Sequence, residues 1–322
     1  MKISIWLRIL ACAVFFCAGV NVQATPYPNR PLKLIVAFSA GGTSDTIARL
    51  LADRLGKELG QSVIVENHTG ANGIVGTEVA RSAPPDGYTI LLVPSGHAIN
   101  STLNPSATYD PIKDFTMISL VGTVPMIVTV NPKLGVKNLA ELIEKAKHTS
   151  GKIDYGSGGV GSSNQLATEL FATMAGIKTL NHIPYRGDAP GIADLMGGHI
   201  SFIFLNVPAA LPLVQSGKMQ ALAITSEKRS PLLPNVPTIG ETVPGYVAGS
   251  WHIIIGPPGI PAERVKILNQ AITKIIHSPD FTKKLLAMGV TPVGSTPGEL
   301  KVFLEHEIEK WKKVIHDADI KL

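Results

Sequence analysis

The sequence predicts an α/β protein of two domains, each a sheet of parallel strands with helices on its faces. Short β-branched runs alternate with amphipathic helices along most of the chain, and such alternation gives parallel strands joined by helical crossovers. At 322 residues the chain is long for one hydrophobic core and suits two. Glycine-rich turns recur where a strand gives way to a helix, the place at which parallel sheets bind ligands.

The elements follow in order. Residues 32–38 read as a buried strand. A helix follows around 45–59, with Ile47, Leu51, Leu55 and Leu59 on one face at four-residue steps. A second strand at 62–66, a second helix at 73–81 and a third strand at 89–93 complete the first run. The middle repeats the theme: strand 125–131 and helix 139–147, then strand 152–155 and helix 162–175. Strand 180–185, helix 189–196, strand 200–205, helix 209–215 and strand 220–225 continue it. A proline-rich stretch between Ser230 and Ser250 leads to one more strand at 251–255. Pro261 sits where a first-turn proline belongs and opens a helix to about His277. After a shorter helix at 281–288, the last begins near Pro297, with Leu300, Phe303, Leu304, Ile308, Trp311 and Ile315 on one stripe. That stripe reads as packing, with no site.

The first 24 residues read as a secretory leader rather than as part of the fold. Lys2 and Arg8 precede an apolar run from Ile9 to Ala18, and Val22-Gln23-Ala24 places the cut after Ala24. The run is too short to span a bilayer comfortably. Both cysteines, Cys12 and Cys17, lie inside it. The processed chain therefore has no thiol, which excludes disulfides, cysteine nucleophiles and thiolate metal sites and suits an oxidising compartment. Removing Lys2 and Arg8 with the leader takes the formal charge from +5 to +3. With charged residues at only 16% and no basic cluster, nucleic acid is not expected as a partner.

Four strand-to-helix turns carry the chemistry. The first, "FSAGGTSDTIARL", holds Gly41 and Gly42, with Ser44 or Asp45 able to cap the helix. The second, "ENHTGANGIVGTEVA", holds Gly70, Asn72 and Gly73. The third, "KIDYGSGGVGSSNQLATELF", runs Gly156-Ser157-Gly158-Gly159-Val160-Gly161, and Ser162 and Gln165 follow at capping-box spacing. The fourth, "HIPYRGDAPG", holds Tyr185, Arg186, Gly187 and Asp188. A helix start offers free N–H donors and the positive end of a dipole, worth about 0.3–1 kcal/mol to a bound anion. Several starts aimed at one cleft bind a carboxylate without a full countercharge. Each turn alone is also ordinary tight-turn chemistry; their recurrence favours a site.

Enzyme readings fare worse. The third turn is a literal G-x-G-x-x-G between a strand and a helix, as a dinucleotide site demands. It falls mid-chain, however, and the next strand ends at Tyr185-Arg186 with no acid at its tip to hold a ribose. Neither Ser157 nor Ser95 stands in G-x-S-x-G. No Walker lysine follows a glycine loop, and no histidine pair has metal-binding helical spacing. His97 and His252 lie at strand ends and could touch a ligand, although a packed histidine is the more ordinary reading. Neither cofactor nor metal is expected.

Taken together, the segments resemble a known family. The stretch from "YPNRPLKLIVAFSAGGTSDTIARL" through "VIVENHTGANGIVGTEVARSAPPDGYTILL" is similar to the amino-terminal part of the extracytoplasmic substrate-binding proteins of tripartite tricarboxylate transporters, the Bug family. The likeness continues through "YDPIKDF", "YGSGGVGSSNQLATELF", "IPYRGDAPGIADLMGGHISFIF", "GKMQALAITSEKRSPLLPNVPTIGE" and "SWHIIIGPPGIP". It implies a type II periplasmic binding-protein fold: one domain of residues 25–124 plus 251–322, a second of 125–250, and a ligand cleft between them. It implies a periplasmic receptor, expected as a monomer, that captures a small carboxylate, or an amide or aromatic acid, and delivers it to membrane subunits of the transporter. A sensing role is the alternative. In this family the carboxylate is held largely by backbone N–H groups, hydroxyls and ordered waters. By matching motif, Phe38, Ala40, Gly41, Gly42, Ser44 and Asp45 form the first clamp, with Asn72 and Gly73 in the second turn. Ser95 and His97 follow the third strand. Ser157, Gly161, Ser162, Ser163 and Asn164 make the carboxylate-binding helix start, and Tyr185, Arg186, Gly187 and Asp188 the opposite turn. Ala37 stands where family members often have proline, and Leu205 where many have an aspartate that helps hold bridging waters.

Overall fold

The computed structural model describes residues 27–148, 153–178, 180–185 and 187–321. The leader with its cut after Ala24, both cysteines and Arg186 lie outside the described residues. The chain first lays down β1 (Leu32–Val36), α1 (Thr43–Leu59), β2 (Val63–Asn67), α2 (Ile74–Arg81), β3 (Thr89–Pro94), α3 (Gly96–Leu103) and β4 (Thr116–Val124). Pro125 then carries it into a second sheet. That part comprises β5 (Met126–Val130), α4 (Leu139–His148), β6 (Ile153–Ser157), α5 (Ser163–Ala175), β7 (Leu180–Pro184), α6 (Asp188–Gly197), β8 (Phe202–Asn206), α7 (Val207–Gln215) and β9 (Gln220–Ile224). The return is β10 (Ser250–Gly256), followed by α8 (Ala262–Ile276), α9 (Pro279–Ala287), β11 (Thr291–Pro292) and α10 (Pro297–Asp317).

The strands form a six-stranded sheet in the order β11-β4-β10-β3-β1-β2 and a five-stranded sheet in the order β7-β6-β8-β5-β9. β1 pairs parallel with β2 and β3, and β6 parallel with β7 and β8. The expectation of all-parallel sheets is corrected at the crossings. β10 is antiparallel to β3 and β4, and β5 is antiparallel to β8 and β9. A strand that leaves one sheet for the other enters each from outside its βαβ series, so its direction is set by the crossing rather than by a helix. In each sheet the first parallel strand of the series, β1 or β6, lies between its second and third, which makes a switch point at its carboxyl end.

Each sheet is covered on both faces. The six-stranded sheet packs Leu34, Val36, Ile90 and Leu92 against Leu51 and Leu55 of α1 and Leu268 and Ile272 of α8. Its other face carries Ile35, Leu91, Trp251 and Ile253 against Leu300 and Leu304 of α10. The five-stranded sheet packs Val128, Tyr155, Phe202 and Phe204 against α4 and α5, while Ile203 and Leu205 face α6 and α7. The stripe on α10 serves both cores. Leu300 and Leu304 belong to the first, whereas Trp311, Val314 and Ile315 are buried in the second. Between them Glu307, itself buried, accepts hydrogen bonds from Trp251 Nε1 at 2.8 Å and Trp311 Nε1 at 2.9 Å.

Candidate functional site

The turns after β1, β2 and β3 sit together at the carboxyl end of the first sheet. No side chain caps α1; its N-cap is Gly42, and Ser44 is already inside the first turn. Asp45 does not cap either. Its carboxylate accepts from Gly41 N at 2.9 Å, Arg49 Nε at 3.0 Å and Asn67 Nδ2 at 2.9 Å. These partners, the Arg49 guanidinium foremost, hold the carboxyl down to about 2. Asp45 is buried and spent on bracing the loop, which leaves Ala40, Gly41 and Gly42 exposed. In the second turn Asn72 Nδ2 donates to Asn100 Oδ1 at 3.0 Å, and Gly73 lies against the Phe38 ring. Ser95 Oγ meets Ser250 Oγ at 3.0 Å. His97 turns into the core: it stacks on Tyr109, meets Phe115 edge-on and donates from Nε2 to Pro111 O at 3.0 Å. Its ring is buried and does not line the cavity between the two sheets.

Between the two sheets lies a cavity of about 350 Å³ lined by Phe38, Ser39, Gly42, Thr43, Ser44, Pro94, Val124, Asn206, Ser250 and His252. Asn206 ends β8, which is parallel to β6, so the carboxyl end of one parallel strand of the second sheet meets those of β1 and β3 at this cavity; among the described residues none of the turns after β2, β6 and β7 lines it. Sequence reasoning did not single out Asn206 or Ser250. Both stand at strand ends beside the crossings, and only the pairing of distant strands brings them to Ser44.

The turn after β6 is held by its own polar groups. The capping box expected from Ser162 and Gln165 is absent: Ser162 Oγ donates to Gly159 O at 2.5 Å, and Gln165 Oε1 accepts from Gly161 N at 2.7 Å. The tight glycine turn brings these backbone groups closer than the helix's own first-turn amides. With no side-chain cap, the start of α5 keeps N–H groups for an incoming anion. Ser157 is fully buried, and Ser162 and Ser163 are half-buried. The fourth turn is stitched to the third by Tyr185 N to Ser157 O at 3.0 Å and Gly187 N to Gly158 O at 3.1 Å. Asn164, buried, donates to Asp188 Oδ1 at 3.0 Å and accepts from Gly158 N at 3.1 Å. Burial pushes the Asp188 carboxyl up, and the Asn164 hydrogen bond opposes this. Tyr185 Oη donates to Asp194 Oδ2 at 2.6 Å.

Ser157 and His182 form a contact that resembles a nucleophile and its base, with Oγ 2.6 Å from Nε2. The hydrogen bonding runs the wrong way for catalysis. Gln165 Oε1 is taken by Gly161 N, so its amide nitrogen faces His182 Nδ1 at 3.2 Å and makes that atom the acceptor. The ring proton is therefore on Nε2 and is donated to Ser157 Oγ, whose own proton goes to Gly159 O at 3.0 Å. A general base must receive the serine proton; this imidazole cannot. Among the described residues no cluster of three or more histidines or acids could hold a metal, and no helix is long and apolar enough to cross a membrane.

Residues 47–320 match the model of the tripartite tricarboxylate transporter family receptor. The chain belongs to that family. As a member it is a periplasmic solute-binding receptor rather than an enzyme. It is 37% identical to protein BugT of Bordetella pertussis over 322 residues, with 98% of each chain covered. Among solved structures it is similar to Rpa4515 of R. palustris with adipate, at 36% identity and a TM-score of 0.80, over 92% of this chain and 99% of that one. It is also similar to MatC of Rhodopseudomonas palustris with bound malate, at 28% identity and a TM-score of 0.75, over 90% and 100%. The two mixed sheets flanking a cleft are the receptor fold that these proteins share.

Proposed function

We propose that this receptor captures a small organic carboxylate and delivers it to the membrane subunits of a tripartite tricarboxylate-type transporter, acting as a monomer once its leader is cut after Ala24. The observation that carries the reading is the uncapped start of α1 on the cavity, with a second uncapped start, α5, following β6, the parallel neighbour of the cavity-lining β8. Each offers N–H donors to an anion. Residues 25–124 with 251–322 form one lobe in this reading and 125–250 the other, and a ligand bridging both favours the closed state. The adipate and malate of the similar receptors suggest which acids to try first. Leu205 is fully buried among apolar side chains, so Asn206 takes the cleft-facing place at the end of β8.

Thermal-shift screening of dicarboxylates, amino acids and aromatic acids is expected to raise Tm for one class, because a ligand bound only to the native state adds to its stability. Changing Ser162 and Ser163 together to alanine is expected to weaken that ligand about tenfold with little change in the unliganded Tm. A flat response across the whole panel would count against carboxylate capture.

A further inference from the structure

His252 is buried beside the cleft, and its Nε2 lies 3.0 Å from Ser44 Oγ. Ser44 is in the first turn of α1, the helix start facing the cavity. Which atom donates decides what Ser44 presents to a ligand. If the serine donates, it shows the cleft lone pairs, which repel a carboxylate. If the imidazole donates, the serine proton is free to point into the cavity.

Four observations bear on the direction. Burial holds the ring neutral, lowering its pKa to about 4, so only one nitrogen carries a proton. His252 Nδ1 is buried without any hydrogen-bond partner. A proton there would be an orphaned buried donor, which proteins avoid more strictly than an unmet acceptor. The same molecule shows the tolerated alternative. His97 must donate from Nε2, since its partner is a carbonyl, and it too leaves Nδ1 buried with no partner. Asp45, next to Ser44, does not compete for the hydroxyl proton, because Gly41, Arg49 and Asn67 already occupy its oxygens.

We infer that His252 is a positioning residue: its Nε2–H is donated to Ser44 Oγ and turns the serine hydroxyl into the cleft as a donor for the anionic group of the ligand. This rests on the carboxylate reading above. It makes the floor of the cleft a device that selects for anions without carrying a charge. Among the described residues, the one titratable side chain lining the cavity is this neutral imidazole.

The test has two arms. Long-range 15N–1H NMR of histidine-labelled protein, with the His252 signals assigned by their loss in H252Q, is expected to show a protonated Nε2 and a pyridine-like Nδ1. A proton on Nδ1 overturns the inference, and this readout needs no ligand. In the second arm, adipate and malate are titrated calorimetrically. S44A and H252L are each expected to weaken binding about tenfold, with the double variant no worse than either alone, as for one shared hydrogen bond. H252Q, whose amide can donate from nearly the same place, is expected to stay within about threefold. Wild-type affinity in H252L, or additive losses in the double variant, overturns the inference. If the wild-type protein binds neither acid, the carboxylate reading fails for these acids, while the tautomer still decides how Ser44 is held.

Discussion

Two buried histidines, His97 and His252, and the half-buried His182 set how the protein answers to acid. His97, His182 and His252 are each lowered by burial from 6.5 to about 4. As pH falls below 6.5 the unfolded chain takes up these protons and the folded one does not. Stability is therefore full above that value and declines down to about 4, with His97 and His252 each contributing up to about 1.4 kcal/mol per pH unit and the half-buried, more screened His182 less. The urea midpoint is expected to be clearly lower at pH 5 than at pH 7.5, and H97Q should flatten the dependence by one proton. A midpoint unchanged across that interval would refute it. At this scale the sequence was a partial guide. The motif positions of Ser44, Gly41 and Ser162 could be read directly, because turn chemistry is local. Where their hydrogen bonds go could not. Ser162 and Gln165 had the spacing of a capping box but found partners in the glycine turn. Which histidine is packed and which lines the cleft depends on strands that meet only in the fold.

Elements were legible where their periodicity is strong. The α10 stripe and the four-residue steps of α1 are examples. β4 and α3 were missed for physical reasons. Gly122 interrupts the run of β4, and its need appears only when Thr291 O is seen 2.6 Å from where a Cβ would stand. α3 is rich in Gly, Ser, Thr and Asn and owes its helix to Ile99 and Leu103 packing into the second core. The join between α9 and α7 is close as well. Gly289, at φ +69°, ends α9 against the start of α7, and a Cβ there would lie 2.7 Å from Val207 Cγ1. G289A adds both left-handed strain and a clash between elements of different sheets, so it is expected to cost about 1–3 kcal/mol in urea unfolding. A variant as stable as wild type would mean that this contact yields freely.

Over the whole molecule, two sheets share one terminal helix. Glu307 is the point at which α10 passes from one core to the other, and both indole N–H groups depend on it. E307A leaves two buried donors unmet and is expected to cost about 2 kcal/mol or more, whereas E307Q retains an acceptor oxygen and should cost less. Chemical denaturation of the pair checks the order; equal losses would assign the effect to packing instead. The α/β class was visible in the alternation of strands and helices, whereas the expectation of two cores rested on chain length and on the family resemblance. The antiparallel crossings were not visible, since periodicity reports which face of a strand is buried and not which way the strand runs.

The protein has three tryptophans, and apart from Trp6 near its start both are the ones that Glu307 joins. With the leader and its Trp6 removed, as proposed above, all indole emission would come from a single carboxylate junction between the two cores. Any shift of the second core against the first that lengthens either hydrogen bond would change the polarity around a fluorophore. If the proposed closure moves the two cores, the indoles report it in a stopped-flow cell without a label.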